Sequence, residues 1–143
     1  MREIRRSALV AQPASRMFAL INDIERYPEF VPGVTGARIE SHSEREIVAT
    51  LAVKRAALHT EFTTRNELEP HTRIGLKLVR GPFRELEGEW RLTPIGPNGC
   101  KVELTLRFAF SNALSGLVLE PLFEATASSL VDAFVARVRA MPA

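Results

Sequence analysis

The stretch that most constrains the fold runs from Gly81 to Phe110. Gly81-Pro82-Phe83 leads into Leu86, Gly88, Trp90 and Leu92 at alternate positions, and after Pro97-Asn98-Gly99 the residues Val102, Leu104, Leu106, Phe108 and Phe110 alternate again. Period-two alternation of this length predicts two antiparallel strands with one apolar and one charged face. The register can be read from the same residues. A two-residue Asn98-Gly99 turn would place Trp90 opposite Arg107 and split the apolar sets between the two faces of the sheet. A three-residue Pro97-Asn98-Gly99 loop with Gly99 left-handed pairs Gly96 with Cys100, Trp90 with Leu106 and Leu92 with Leu104. Glu89 then meets Arg107 on the charged face, and this is the expected register.

The period changes only at the two ends of the chain. Residues 2–10 predict a first strand. Pro13 then opens a helix on the spacing Met17, Ile21, Ile24. A second short helix follows, with Asn22 and Glu25 spaced as a capping box and Pro28, Pro32 and Gly33 ending the segment. Residues 35–41, 44–54, 57–69 and 73–80 predict successive antiparallel strands, connected around Ser43, Arg55 and Pro70-His71. Leu58, Thr60, Phe62, Thr64, Asn66 and Leu68 share one face of their strand, and Ile74, Leu76, Leu78 and Arg80 share one face of the next. From Ser111 to Met141 the spacing is helical, with Ser111 or Asn112 as N-cap. Leu114, Leu117, Val118, Leu122 and Ala125 form one apolar stripe; Leu130, Val131, Phe134, Val138 and Met141 form another. Pro121 lies in the first and should bend the helix. The expected order is β-α-α-β-β-β-β-β-β-α, an α+β fold in which a curved, seven-stranded antiparallel sheet wraps one long C-terminal helix.

Composition limits the rest. A chain of 143 residues with 45% hydrophobic content supports one domain, 1–143, with a real core. The net charge is only +2, so an acidic partner is allowed and not demanded. A lone cysteine, Cys100, rules out an internal disulfide and suits a reducing cytoplasm. No run reads as the roughly 20 apolar residues of a membrane span, and the N-terminus reads as the start of a strand, not a signal peptide.

The chemical inventory argues against an enzyme. His42, His59 and His71 are scattered without metal-site spacing. Cys100 has no CxxC partner and reads as a passive thiol. No nucleophile elbow, Walker loop or dinucleotide fingerprint is present. The expectation is no catalytic residue, no metal and no cofactor. The polar groups on otherwise apolar faces, Thr60, Thr64, Asn66 and Arg80, could orient a ligand carbonyl or simply be satisfied near strand ends. Arg80 could also stabilise an enolate in a cyclase, but nothing beside it supplies a base. Phe30, Val31 and Phe83, in irregular chain, form either a gate, a membrane-touching edge or a plug. Gly88, between Leu86 and Trp90, leaves either close backbone packing of the helix or an open space. The arginines alternate with glutamates as on a mixed solvated surface. There is no basic aromatic face for stacking nucleic-acid bases, so DNA is not expected, although phosphate contact with ribosomal RNA or anionic lipid stays open.

The segment Asn22-Asp23-Ile24-Glu25-Arg26-Tyr27-Pro28-Glu29-Phe30-Val31-Pro32, followed by Gly81-Pro82-Phe83, Leu86-x-Gly88-x-Trp90 and Phe108-x-Phe110-Ser111, resembles the coenzyme-Q-binding START-like family. Its bacterial members are also described as ribosome-association toxin A or as oligoketide cyclase/lipid transport proteins. The resemblance runs over nearly the whole chain and implies a helix-grip, Bet v 1-like fold around a hydrophobic cavity. It implies binding of ubiquinone or a related isoprenoid lipid in support of respiration, peripheral contact with the inner face of a membrane, and, in one branch, interference with joining of the ribosomal subunits. It favours the cavity reading of Gly88. The residues expected to line the cavity are Phe30, Leu58, Thr60 and Phe62; Leu76, Leu78, Arg80 and Phe83; Trp90, Leu106 and Phe108; and Leu117, Val118 and Leu122. One departure is visible: many relatives carry an aromatic and a small polar residue after the Val-Pro, where this chain has Gly33-Val34.

Overall fold

The computed structural model describes residues 1–141; the last two residues of the predicted 1–143 unit lie outside them. Strand β1 (Arg2–Val10) is followed by helix α1 (Ala14–Asn22) and a 3₁₀ helix (Ile24–Glu29), then β2 (Val34–His42), β3 (Glu46–Arg55), β4 (Leu58–Glu69), β5 (Arg73–Arg80), β6 (Phe83–Pro94), β7 (Cys100–Phe110) and helix α2 (Ala113–Ala140). The seven strands form one antiparallel sheet in the order β1-β7-β6-β5-β4-β3-β2. The predicted class, strand count and element order hold. The second predicted helix is a 3₁₀ helix that contains Pro28 and whose N-cap, Asp23, has no side-chain bond, so the Asn22–Glu25 capping box does not form.

The β6–β7 register differs from the expected one by two residues. Trp90 pairs with Leu104, Leu92 with Val102 and Pro94 with Cys100, and Glu87 and Arg91 face Arg107 and Glu103. A shift of two keeps every side chain on its face. It also gives two opposite-charge pairs across the strands where the shorter loop offered one. The turn is correspondingly longer, residues 95–99: Gly96, not Gly99, takes the left-handed conformation at φ 64°, and the Ile95 N–H donates to the Gly99 carbonyl at 2.9 Å.

Helix α2 is capped by Asn112, whose side chain accepts from the Ser115 N–H at 2.8 Å, and it runs on through Pro121. By length and composition it would also pass as a membrane span, contrary to the sequence expectation. Its roll differs from the predicted stripe too. Leu122, Phe123, Ala127, Val131, Phe134, Val135 and Val138 are buried, whereas Leu114, Leu117 and Val118 are exposed. Phe123 decides this. Its ring centroid lies 4.7 Å from that of Phe108, 5.0 Å from Phe83 and 5.6 Å from Phe62. A buried phenyl ring carries more apolar area than a leucine, so the row containing Phe123 takes the core.

Gly88 marks a close approach of strands, not an open space. A Cβ there would lie 2.2 Å from the Thr105 carbonyl oxygen and 3.1 Å from Leu106 Cα, both backbone atoms of β7. The glycine therefore lets the β6–β7 ladder coil. Gly88→Ala is expected to destabilise the fold by about 2–3 kcal/mol, the scale of forced overpacking, read as a lowered urea midpoint at unchanged m-value.

Candidate functional site

An internal cavity lies between α2 and the sheet. Its wall is built from Ile21, Ile24 and Tyr27 at one end, Ala49, Leu51 and Val53 of β3, Phe62 of β4, Ile74 and Leu76 of β5, Leu86 and Trp90 of β6, Leu106 of β7, and Phe123, Ala127 and Leu130 of α2. Its free volume is about 90 Å³, and one side opens toward solvent. That volume is several times what one water needs.

The polar edge of the wall is small and uncharged. Thr64 donates to Asn66 Oδ1 at 2.7 Å, which leaves the Asn66 amide N–H groups without a protein partner among the described residues although Asn66 is only 7% exposed. Asn22 lies in the same wall, and its Oδ1 is buried with no partner. Among the described residues only Asn22 Oδ1 is a buried side-chain polar atom without a partner; a buried acceptor left so is costly and calls for a donor, whereas the Asn66 N–H groups offer donors to an occupant of the same wall. Tyr27 is the one titratable residue in the wall. Its hydroxyl donates to the Ile21 carbonyl, and burial first, then the charge of Asp23, pushes its ionisation far above the ordinary tyrosine range. It presents a ring to the cavity, not a mobile proton.

Of the residues expected to line a cavity, Phe62, Leu76, Trp90 and Leu106 are in this wall. Phe83 and Phe108 are buried beside it, in the aromatic cluster around Phe123. Leu122 is a core residue, and Leu78 packs partly buried against the core. Phe30 meets Phe134 edge-to-face at 5.3 Å with the Arg137 guanidinium 4.8 Å above its ring, closing that end as a plug. Thr60 and Leu58 lie beyond the wall toward the β3–β4 turn, where Leu58 is 38% exposed. Leu117 and Val118 point into solvent, because the roll of α2 follows Phe123.

Arg80 is outside the cavity for a different reason. Thr63 pairs with Arg80 while Thr64 pairs with Leu78, so Val79 is an extra residue in β5. Such a bulge inverts the alternation beyond it. Arg80 accordingly joins the outer face, where it pairs with Glu40 and donates to Thr63 Oγ1 at 3.2 Å. Thr63 is itself buried and bonded to Thr50 at 2.6 Å, so Arg80 covers a polar pair on the outside of the sheet.

Most of the wall was not among the expected lining residues, notably Asn22, Tyr27, Ala49, Val53, Phe123 and Thr126. The signal for Asn22 was present, since the residue sits on the inward side of α1 beside Ile21, but the capping-box spacing supplied a competing explanation. Gly33 answers the departure noted after Val-Pro. It has φ 87°, and a Cβ on it would meet Thr126 Oγ1 at 2.7 Å, so a larger residue there would be backbone-strained and would have to displace the Thr126 hydroxyl. Val34 behind it is part of the wall.

A sheet gripping a long terminal helix over such a cavity is the START-like, helix-grip architecture. The chain belongs to the polyketide cyclase/dehydrase and lipid transport family, whose model matches residues 10–135. It is 42% identical over 139 residues to the ribosome association toxin RatA of Vibrio cholerae, covering 97% of this chain and 96% of that one. It is 22% identical over 143 residues to the mitochondrial coenzyme Q-binding protein coq10 of Schizosaccharomyces pombe, covering 94% and 85%. The crystal structure of the ZhuI aromatase/cyclase from Streptomyces sp. R1128 superposes with a TM-score of 0.84 at 21% identity, covering 96% of this chain and 93% of that one, a likeness of fold.

Tyr27 is the sole tyrosine, which makes its environment directly measurable. Its folded-state pKa is raised, so its contribution to stability is complete below the unfolded value of about 10 and is lost as pH rises beyond it. Absorbance at 295 nm should therefore show no tyrosinate in the folded protein near pH 11, and tyrosinate should appear together with loss of the far-UV signal at higher pH.

Proposed function

We propose that the cavity holds the head group of an uncharged, hydrophobic lipid, an isoprenoid quinone of the ubiquinone type, and performs no chemistry on it. The observation that carries this reading is the wall itself: apolar side chains interrupted by Asn22, Thr64 and Asn66, with no carboxylate, histidine, lysine or arginine among them. A charged lipid head would enter that wall unpaired, which is strongly unfavourable. A quinone carbonyl would accept from the free Asn66 amide, and removal of apolar area from water, at roughly 25 cal/mol per Å², would supply most of the affinity. The same lack of a titrating acid or base favours a carrier over a cyclase. The free volume of about 90 Å³ is below the roughly 150 Å³ that takes up a benzene ring, so a quinone ring would enter as the wall opens, and a long isoprenoid tail would leave through the open side of the cavity. A coenzyme Q-binding relative supports the choice of ligand class.

Native mass spectrometry with lipid extraction tests the proposal. A neutral quinone should co-purify, and Asn66→Leu, which keeps the wall apolar and similar in volume, should weaken its binding about tenfold, the scale of one buried hydrogen bond. A protein that carries only charged lipids, or whose quinone binding ignores Asn66→Leu, would count against it.

A second reading rests on a separate observation, the 42% identity with a protein named as a ribosome association toxin. In that reading the chain binds a ribosomal subunit and hinders subunit joining. Sedimentation with purified subunits checks it: salt-sensitive association, unaffected by Asn66→Leu, is the expected result.

A further inference from the structure

The outward side of α2 is built unlike the exposed face of an ordinary surface helix. Successive residues turn by about 100°, so Leu117, Pro121, Leu114, Ala125 and Val118 fall on one arc opposite Phe123. On that arc Leu117 is 80% exposed, Leu114 72% and Val118 40%. Core packing claims none of these three. The exposed arc of a helix that buries its other side is normally charged or polar. Here the only charges from Ala113 to Val131 are Glu120 and Glu124, and both are turned to the β1 flank, where Arg2 pairs with each. In the apolar window that gives α2 the composition of a membrane span, only 22% of the residues are buried, whereas the core helix of a water-soluble protein would bury most of them.

Cations frame this arc on both flanks. Arg84 shares a surface depression at the start of α2 with Asn112, Ala113 and Gly116 and with the Arg2–Glu120 pair, so on this flank Arg84 is the cation left over from a mixed-charge edge. On the other flank the β3–β4 turn approaches the helix: the Lys54 carbonyl lies 3.6 Å, and Thr126 Oγ1 2.7 Å, from the point where a Cβ on Gly33 would sit. Lys54, Arg55 and Arg84 are exposed and have no ion pair among the described residues, whereas Arg2 is neutralised by the two glutamates. Bare aliphatic side chains between unpaired cations match a bilayer surface that offers acyl chains below and anionic head groups above. RNA would use the cations, but aliphatic side chains do not stack on bases. A second copy would bring like-charged rims together.

We propose that the outward face of the first three turns of α2, with Lys54, Arg55 and Arg84, is a docking face for an anionic lipid bilayer. The helix lies in the interface and does not cross it, since its opposite side, from Leu122 through Val138, is packed into the protein core. The proposal is independent of which molecule occupies the cavity.

Vesicle co-sedimentation tests it, with phosphatidylcholine vesicles made with and without phosphatidylserine. The protein should bind the anionic vesicles and release them at high salt. Leu117→Asp should lower binding by about tenfold or more, and Arg84→Glu by about fivefold. Both residues are exposed, so circular dichroism should show an unchanged fold. Asn66→Leu should leave vesicle binding intact, which separates this result from failure of the carrier reading. Binding unchanged by Leu117→Asp would overturn the proposal, as would no vesicle binding together with salt-sensitive association with ribosomal subunits.

Discussion

The roll of α2 about its own axis governs both the inside and the outside of this molecule, and one side chain sets it. Phe123 inserts its ring among Phe62, Phe83 and Phe108, a cluster that joins β4, β6 and β7 to the helix. With that ring seated, Ala127 and Leu130 face the cavity and Val131, Phe134 and Val138 complete the core on the same row. The opposite consequence is that Leu114, Leu117 and Val118 have nothing to pack on. A helix with two competing apolar rows can bury only one against a single sheet, and the row with the aromatic ring removes more surface from water.

The strands were legible because strand periodicity is local. Each of the seven appears within a few residues of its predicted position, and the faces of β6 and β7 are assigned correctly even though their register is two residues off. Register depended on the turn, where the Pro97-Asn98-Gly99 signal pointed to a short loop while Gly96 took the left-handed position. The lining residues were less legible because they depend on long-range geometry. Phe62, Leu76, Trp90 and Leu106 follow from alternation alone. Arg80 does not, since the bulge at Val79 is a property of the β4–β5 pair and leaves no trace in the spacing of β5 itself. Leu117 and Val118 do not, since helical spacing gives a stripe but not which of two stripes the sheet will accept. Gly88 shows the same limit: its missing side chain was readable, but that the space belongs to the Thr105 carbonyl was not.

The cavity owes its character to what its wall lacks. Ionisable side chains are abundant on the sheet, yet they sit on the outer face, where Arg73 donates to Glu89 at 2.6 Å and to Glu69 at 2.8 Å. Burial by itself would raise the Glu89 carboxyl, but the bonds and charges of Arg73 and Arg91 hold it below the ordinary range. The charged network is thus satisfied by itself and places no demand on the interior. Strand alternation enforces this segregation along the central strands, and at the β5 bulge the displaced side chain, Arg80, moves to the charged side. This bulge therefore keeps a permanent charge out of the cavity.

That segregation also explains why a cavity can persist here without collapse. Gly33 at φ 87° brings the chain against Thr126, and Phe30 with Phe134 and Arg137 closes the end near Tyr27, so α2 is held at two points along its length. Between them the small side chains Ala49, Thr126 and Ala127 leave the gap. The helix cannot move inward to fill it without displacing either the Phe123 cluster or the Gly33 contact, both of which are close-packed. A small apolar occupant would restore the missing contacts. The Asn66 N–H groups, donors in the wall, give an occupant with a carbonyl a preferred orientation with that carbonyl toward Asn66.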